Sequence, residues 1–283
     1  MLYADDTQLY ITCDPDDLDN TLLQLELCIR AVKSWMDNNY LKLNDNKTEF
    51  IIFRSRFCDD PKFDNLSLTV GEKIIKPTSV VRNLGVFMDK YLTMENQVNS
   101  ICKSTMYHIR QVGRVRKYLD KPTTEKLIHA VITSRLDYAN SLLYGITSSH
   151  SSRIQRIQNT AARIVSLVSK HTSATQLRKD LHWLPIRARI DYKILILVFR
   201  ALNSGTPSYI SDIVKHQTRN RPVRSRHLHQ LQTPTTNTKA YGDRCLVYAA
   251  PRLWNALPPN LRCIDQLELF KYHLKTFLFS SCY

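Results

Sequence analysis

MENQVNSICKSTMYHIRQVGRVRK, residues 94–117, is the stretch that divides the chain. Met94, Val98, Ile101, Thr105, Ile109 and Val112 recur every three or four positions, the spacing that gathers apolar side chains on one face of a helix. Lys103, Arg110, Arg114, Arg116 and Lys117 fall largely off that stripe, so the helix is expected to bury one side and present cations on the other. Ahead of it the sequence alternates as strands do, and behind it the helical period continues almost to the end. The expectation is an α+β N-terminal part, antiparallel strands plus a helix, over 1–90, followed by mainly helical regions over 91–170 and 171–283.

Downstream, a second helix is expected over 123–143. A third should carry Ile154, Ile157, Ala161, Ile164 and Val168 inside, with Arg153, Arg156 and Arg163 outside. LHWLPIRARIDYKILILVFRALNSG reads as a further helix, opened by Pro185 and closed by Asn203-Ser204-Gly205. Within the basic loop 215–240, the run KHQTRNRPVRSRHLHQLQTPTTNTK has many bases, two prolines and little periodicity, the marks of an extended loop. A final short helix is expected around Leu267, Phe270, Leu274 and Phe277, and Trp183 and Trp254 read as core anchors.

Upstream, Leu18, Leu22, Leu25, Ile29, Val32 and Met36 mark one helical face, with Asp14 expected as cap, Pro15 in the first turn and an end at Asn38-Asn39. YLKLN and KTEFIIF look like paired strands turning at NDN. LSLTVGEKIIK reads as a hairpin turning at Gly71-Glu72, and VVRNLGVFMD as another bent at Leu84-Gly85. With 6 glycines in 283 residues, a β-barrel or a glycine-rich phosphate loop is disfavoured.

The formal charge is +15, and it is unevenly placed. Residues 1–52 hold ten acids and four bases, a net of −6, which leaves +21 on residues 53–283. That cationic body suits a polyanionic partner, although a ribosomal or chromatin protein or a plain basic surface would show the same balance. Seven dispersed cysteines without a C-x-x-C pair argue against zinc and disulfide frameworks and for reduced thiols inside the cell, in nucleus or cytoplasm. His227 and His229, two apart in the basic loop, have no cysteines at knuckle spacing. The neighbouring Arg221, Arg224 and Arg226 read as phosphate contacts or as a solvated run. The most apolar run, ILILVF at 194–199, is far short of the roughly 20 residues that span a bilayer, and no signal peptide is visible.

The chain opens on MLYADDTQLY, which sets Asp5 and Asp6 side by side after an aromatic residue. Adjacent carboxylates on a tight turn suit a hard cation such as Mg²⁺. YADD, then LKLNDNKTEF, VRNLGVFMD, RIQRIQNTAARIV and YAAPRLWNALPPNLR follow in an order that resembles the reverse transcriptases of non-LTR, LINE-type retrotransposons, most closely the jockey-like lineages.

The resemblance covers nearly the whole chain and implies a partial polymerase palm, a helical thumb and a post-polymerase region. It makes Asp5 and Asp6 metal ligands of a two-metal site for Mg²⁺, with RNA template and DNA primer as partners. Lys47 would then donate to the departing pyrophosphate, or be a solvated strand-edge lysine. Tyr3 would pack near the primer end or the incoming nucleotide, or be a core aromatic, and Leu84-Gly85 would be the primer grip. Lys103, Arg110, Arg114, Arg153 and Arg156, with the loop arginines, would hold nucleic acid. In that family a further aspartate and the fingers lie upstream of the YADD turn. The expectation is therefore a C-terminal part, inactive alone, or a noncatalytic nucleic-acid-binding remnant.

Overall fold

The computed structural model describes residues 2–4, 6–58, 60–216, 229–236, 238 and 241–283. They fall into two compact units, residues 1–96 and 97–283.

In the first unit, β1 (Leu2–Tyr3) and β2 (Asp6–Thr7) pair antiparallel, Leu2 opposite Thr7 and Tyr3 opposite Asp6. Helix α1 (Leu18–Asn38) begins later than the sequence suggested. The Asp14 carbonyl closes a turn on the Asp17 amide at 3.0 Å, so Asp17, not Asp14, occupies the cap position. The helix ends where expected. The Leu41 amide reaches back to the Met36 carbonyl (2.8 Å) and that of Tyr40 to Asp37 (3.1 Å), with Tyr40 left-handed at φ 58°, a Schellman termination.

That termination also explains a departure from expectation. No strand forms over residues 40–55 among the described residues. Leu41 has already given its amide to the helix end, and Asn44–Lys47 closes a turn whose Asp45 is drawn to Lys33 of α1 at 3.9 Å. The remaining stretch is held by single backbone bonds, Thr78 amide to Phe50 carbonyl (2.8 Å) and Arg54 amide to Lys90 carbonyl (3.0 Å), rather than by a ladder.

Strands β3 (Leu68–Val70) and β4 (Lys73–Ile75) turn at Gly71-Glu72 as predicted, and α1 lies on them. Ile29, Leu68 and Val70 form the buried centre, with Leu22, Leu25, Leu43, Phe50 and Ile75 packed around it. Glu26 of α1 accepts the Thr69 amide at 2.7 Å, filling a donor on a strand too short to have a ladder partner on that side. Strands β5 (Val80–Asn83) and β6 (Val86–Asp89) turn at Leu84-Gly85, both left-handed (φ 44° and 81°), the mirror-image turn whose twist suits a two-residue hairpin. The three hairpins are separate two-stranded sheets. At the end of β6, buried Asp89 accepts the amides of Tyr91, Thr93 and Met94 and the Thr93 hydroxyl, all at 2.9–3.1 Å, just before the next helix.

That helix is α2 (Glu95–Val115), and its stripe is buried as read: Met94, Val98, Ile101, Thr105, Ile109 and Val112. α3 (Lys121–Ile128) passes through a π turn, His129–Thr133, into α4 (Ser134–Asp137). The run is shorter than the expected 123–143, because Ala139 turns left-handed at φ 50°. α5 (Ser148–Ser166) buries Ile154, Ile157, Ala161 and Val165; Val168 lies beyond its end and is exposed, contrary to the expected stripe. α6 (Ala174–Asp180) leads into α7 (Ile186–Ser204), which starts after Pro185 and stops at left-handed Gly205. α7 is the centre of the second unit, buried around much of its circumference and packed by α5, α8 (Ser208–Ile213), α9 (Leu246–Asn255) and α11 (Leu267–Cys282). The short α10 (Pro259–Arg262) precedes α11.

Arg116 is not a surface cation. It is buried, and its guanidinium donates to the carbonyls of Ile164 (2.8 Å), Val165 (3.0 Å) and Leu119 (2.6 Å), satisfying groups that the end of α5 leaves open. α5 ends in another Schellman turn, with Leu167 at φ 52° and its side chain 68% exposed. A leucine there carries left-handed strain and buries little. Leu167→Gly is expected to raise unfolding free energy by about 0.5–1 kcal/mol, the relief of strain exceeding the added chain entropy. An unchanged or lowered urea midpoint would contradict this.

Candidate carboxylate hairpin and nucleic-acid interface

The Tyr-Ala-Asp-Asp sequence forms a tight hairpin, with Ala4 left-handed at φ 51° in the turn. Asp5 lies outside the described residues. Tyr3 is 63% exposed, which removes the core-aromatic alternative, and Asp6, opposite it, is exposed. Gln8, just past β2, donates to the Asn83 side chain at 2.7 Å. Asn83 precedes the Leu84-Gly85 turn, so the hairpin and that bend are tied together.

Lys47 is exposed, in a turn anchored to α1 through Lys33–Asp45 and to β4 through the Lys73 ammonium, which donates to Asn46 Oδ1 at 2.7 Å. Gly71, left-handed at φ 64°, sits against the same turn: a Cβ there would come within 2.9 Å of Asp45 Oδ2. Among the described residues no three His, Cys, Asp or Glu side chains converge as a metal cage. Asp6 is the one member of the expected ligand pair among the described residues, and a lone carboxylate does not meet the several oxygen ligands Mg²⁺ requires.

The second unit carries 29 lysines and arginines against 9 acids, a net of +20, while the first carries 11 against 16, a net of −5. Within the second unit the cations are ordered along α2. Lys103, Tyr107, Arg110 and Arg114 of α2 are exposed, and their spacing of three or four keeps them on the side away from the buried stripe; Lys117 and Tyr118, in the short 3₁₀ turn Arg116–Tyr118 that follows, are exposed too. None of these four cations is paired with a carboxylate among the described residues. Lys117 lies 4.8 Å from the Tyr118 ring centroid, a cation–π contact that keeps it on the surface.

α5 extends the track. Arg153 donates to Asn99 Oδ1 at 2.6 Å, and Asn99 is one turn before Lys103 on the same face. Exposed Arg156 stands beside it, near enough that both arginines pull down the Cys102 thiol pKa, which burial raises by more. Arg163 of the same helix is occupied, donating to the Thr172 carbonyl at 3.2–3.3 Å. From Asn99 to Arg114 the face is roughly 22 Å long at 1.5 Å per residue, about six base steps at 3.4 Å each. Tyr107 was legible as a same-face neighbour of the cations, since 103, 107, 110 and 114 are spaced by four, three and four.

Arg221, Arg224 and Arg226, with His227, lie outside the described residues. His229 is described, and its carbonyl accepts the Trp254 indole N–H at 2.8 Å. Trp183 and Trp254 are buried at 5% and 2% exposure, core positions as expected.

Compared with protein-family models, curated proteins and solved structures, the chain matches none. Among the described residues no helix is long and apolar enough to cross a membrane.

Proposed function

We propose that this chain binds nucleic acid through α2 and the adjoining end of α5, as the part of a LINE-type reverse transcriptase that runs from the YADD turn onward. The observation that carries the binding is the exposed face of α2 and the 3₁₀ turn after it, where Lys103, Arg110, Arg114 and Lys117, none paired with a carboxylate among the described residues, are accompanied by Tyr107 and Tyr118 in a unit of net charge +20. Cations at this spacing meet successive phosphates, and the tyrosine rings offer surfaces for unstacked bases. The polymerase part of the reading rests on the sequence resemblance, supported by the tight Tyr3–Asp6 hairpin, which Gln8 ties to Asn83, the residue before Leu84-Gly85. Mg²⁺ belongs to the complete polymerase in this reading, and the 283-residue chain acts alone as a noncatalytic binder.

An RNA–DNA hybrid carrying a fluorophore, titrated at several salt concentrations, tests this. Log affinity should fall linearly with log salt, at about 0.9 per phosphate neutralised on a B-form duplex. Replacing Lys103, Arg110 and Arg114 by alanine should lower that slope by roughly 2–3 and weaken binding 10- to 100-fold near 0.1 M salt. A flat salt profile, or an unchanged slope in the triple variant, would remove the interface. With Mg²⁺ and a primed RNA template the chain should extend nothing; Asp5-dependent extension would overturn the noncatalytic reading.

A further inference from the structure

A second feature of the helical unit is independent of the α2 face. A cavity of about 490 Å³ opens between the end of α3, the turn after α6, α7 and α11, a volume within the usual range of small-molecule sites, about 300–1,000 Å³. Its lining mixes polar side chains with an apolar part, Leu181, Trp183 and Leu184, each under 10% exposed. The Trp183 indole is fixed in place, donating to Glu125 Oε1 at 3.1 Å and meeting His129 edge-on at 5.4 Å.

The charges on the wall are unequally engaged. Glu125 is taken by Trp183 and by His129 at 3.6 Å, and Asp137 is gripped by both arms of Arg189. The two acids are therefore occupied. Lys193 and Lys275 line the same cavity, are exposed, and have no carboxylate partner among the described residues. His182 adds an exposed ring, stacked on Phe279 at 5.5 Å.

The backbone around the cavity is irregular in a way that serves it. His129 begins the π turn, and such turns recur at functional sites because the extra residue re-aims side chains. Left-handed Ala139 precedes Asn140, which lines the wall three residues after Asp137. An alanine in that region costs about 1–2 kcal/mol, strain that packing alone has no need of. His182 has a different cause: it is the left-handed residue of the Schellman turn that ends α6, with Trp183 bonded back to Arg178 at 2.8 Å.

A lining that includes Trp183 together with two exposed ammonium groups that no carboxylate engages suits a ligand that joins a flat ring to an anion. We infer that this cavity binds a single nucleotide, its base against Trp183 and Leu184 and its phosphate between Lys193 and Lys275. The nucleotide is a free mononucleotide or the phosphorylated end of a strand, which share that chemistry.

Adenosine 5′-monophosphate titrated into the full chain by calorimetry should fill one saturable site. Adenosine and inorganic phosphate, each offering half of the contacts, should bind at least about tenfold more weakly. Lys193→Ala with Lys275→Ala should weaken the mononucleotide by about tenfold or more; both lysines are exposed, so the fold should stand. Competition by a 5′-phosphorylated oligonucleotide, but not by its 5′-hydroxyl form, would identify the strand end as the ligand. Intact mononucleotide binding without such competition would identify the free nucleotide. Absence of saturation at millimolar concentration, phosphate binding as tightly as the mononucleotide, or unchanged affinity in the double-lysine variant would each overturn the inference. The α2 triple variant separates this outcome from the preceding one, since it should lose hybrid affinity while the mononucleotide still binds.

Discussion

Phe270→Ala is expected to lower the unfolding free energy of the helical unit by about 3–5 kcal/mol. Phe270 is fully buried on α11, and its ring stacks on Phe199 of α7 at 4.3 Å and lies 5.8 Å from Trp254 of α9. Truncation removes the transfer energy of the ring and leaves a cavity at the meeting point of three helices. Lost aromatic pairing adds about 0.5–1.5 kcal/mol, within the upper part of that range. Against total stabilities of roughly 5–15 kcal/mol this is a large share. The melting temperature should fall by roughly 10 °C for a unit of this size. Tyr272→Ala is the control: its side chain is on the same helix but 68% exposed, and it should shift stability by no more than about 0.5 kcal/mol. Equal losses in the two variants would mean that α11 is not anchored through Phe270.

Asp191→Asn is expected to stabilise the protein at neutral pH and to do nothing in acid. Burial pushes the Asp191 carboxyl up to about 6, although Arg187 and Arg252 pull it down. The folded chain therefore keeps a proton that the unfolded chain releases near pH 4. The stability contributed by the protonated carboxyl is complete below that point and is lost as pH rises toward and through 6. At 1.36 kcal/mol per pH unit the full loss is about 3 kcal/mol, and residual solvation of the carboxylate brings it nearer 2. Asparagine has no proton to lose. The variant-minus-parent difference from urea unfolding should accordingly be near zero at pH 4, grow through pH 5–6 and level off above pH 7. A difference constant with pH, or favouring the parent at pH 8, would show that Asp191 is not held in a desolvated position.

The α2 stripe, the limits of α7 and the turns at Gly71-Glu72 and Leu84-Gly85 were all legible, because each is written in local spacing or in local turn chemistry. The paired strands over YLKLN and KTEFIIF were misread. Their composition suits strands, but the Schellman turn at Tyr40 and the pull of Lys33 on Asp45 committed the same groups to α1. Arg116 and Arg163 read as solvent-facing cations like their neighbours; only the positions of the α5 carbonyls and of Thr172 made them structural.

The candidate interface was half legible for the same reason. Lys103, Arg110 and Arg114 follow from helical period alone, whereas the contribution of Arg153 required the contact with Asn99, 54 positions away. The nucleotide cavity had no signature at all. Its walls come from residues near 125, 137, 183, 193 and 275, and no spacing along the chain marks side chains that far apart as neighbours.

By itself, then, the sequence determined most of the helices, the hairpins at Gly71-Glu72 and Leu84-Gly85, their apolar faces and where the positive charge resides, since these depend on residues within a turn or two of one another. Tertiary structure alone decided which cations remain free for a ligand and which are spent on backbone carbonyls. That outcome depends on where distant helix ends come to rest, because a guanidinium brought to unfilled carbonyls in the interior gains more from bonding them than from remaining in water.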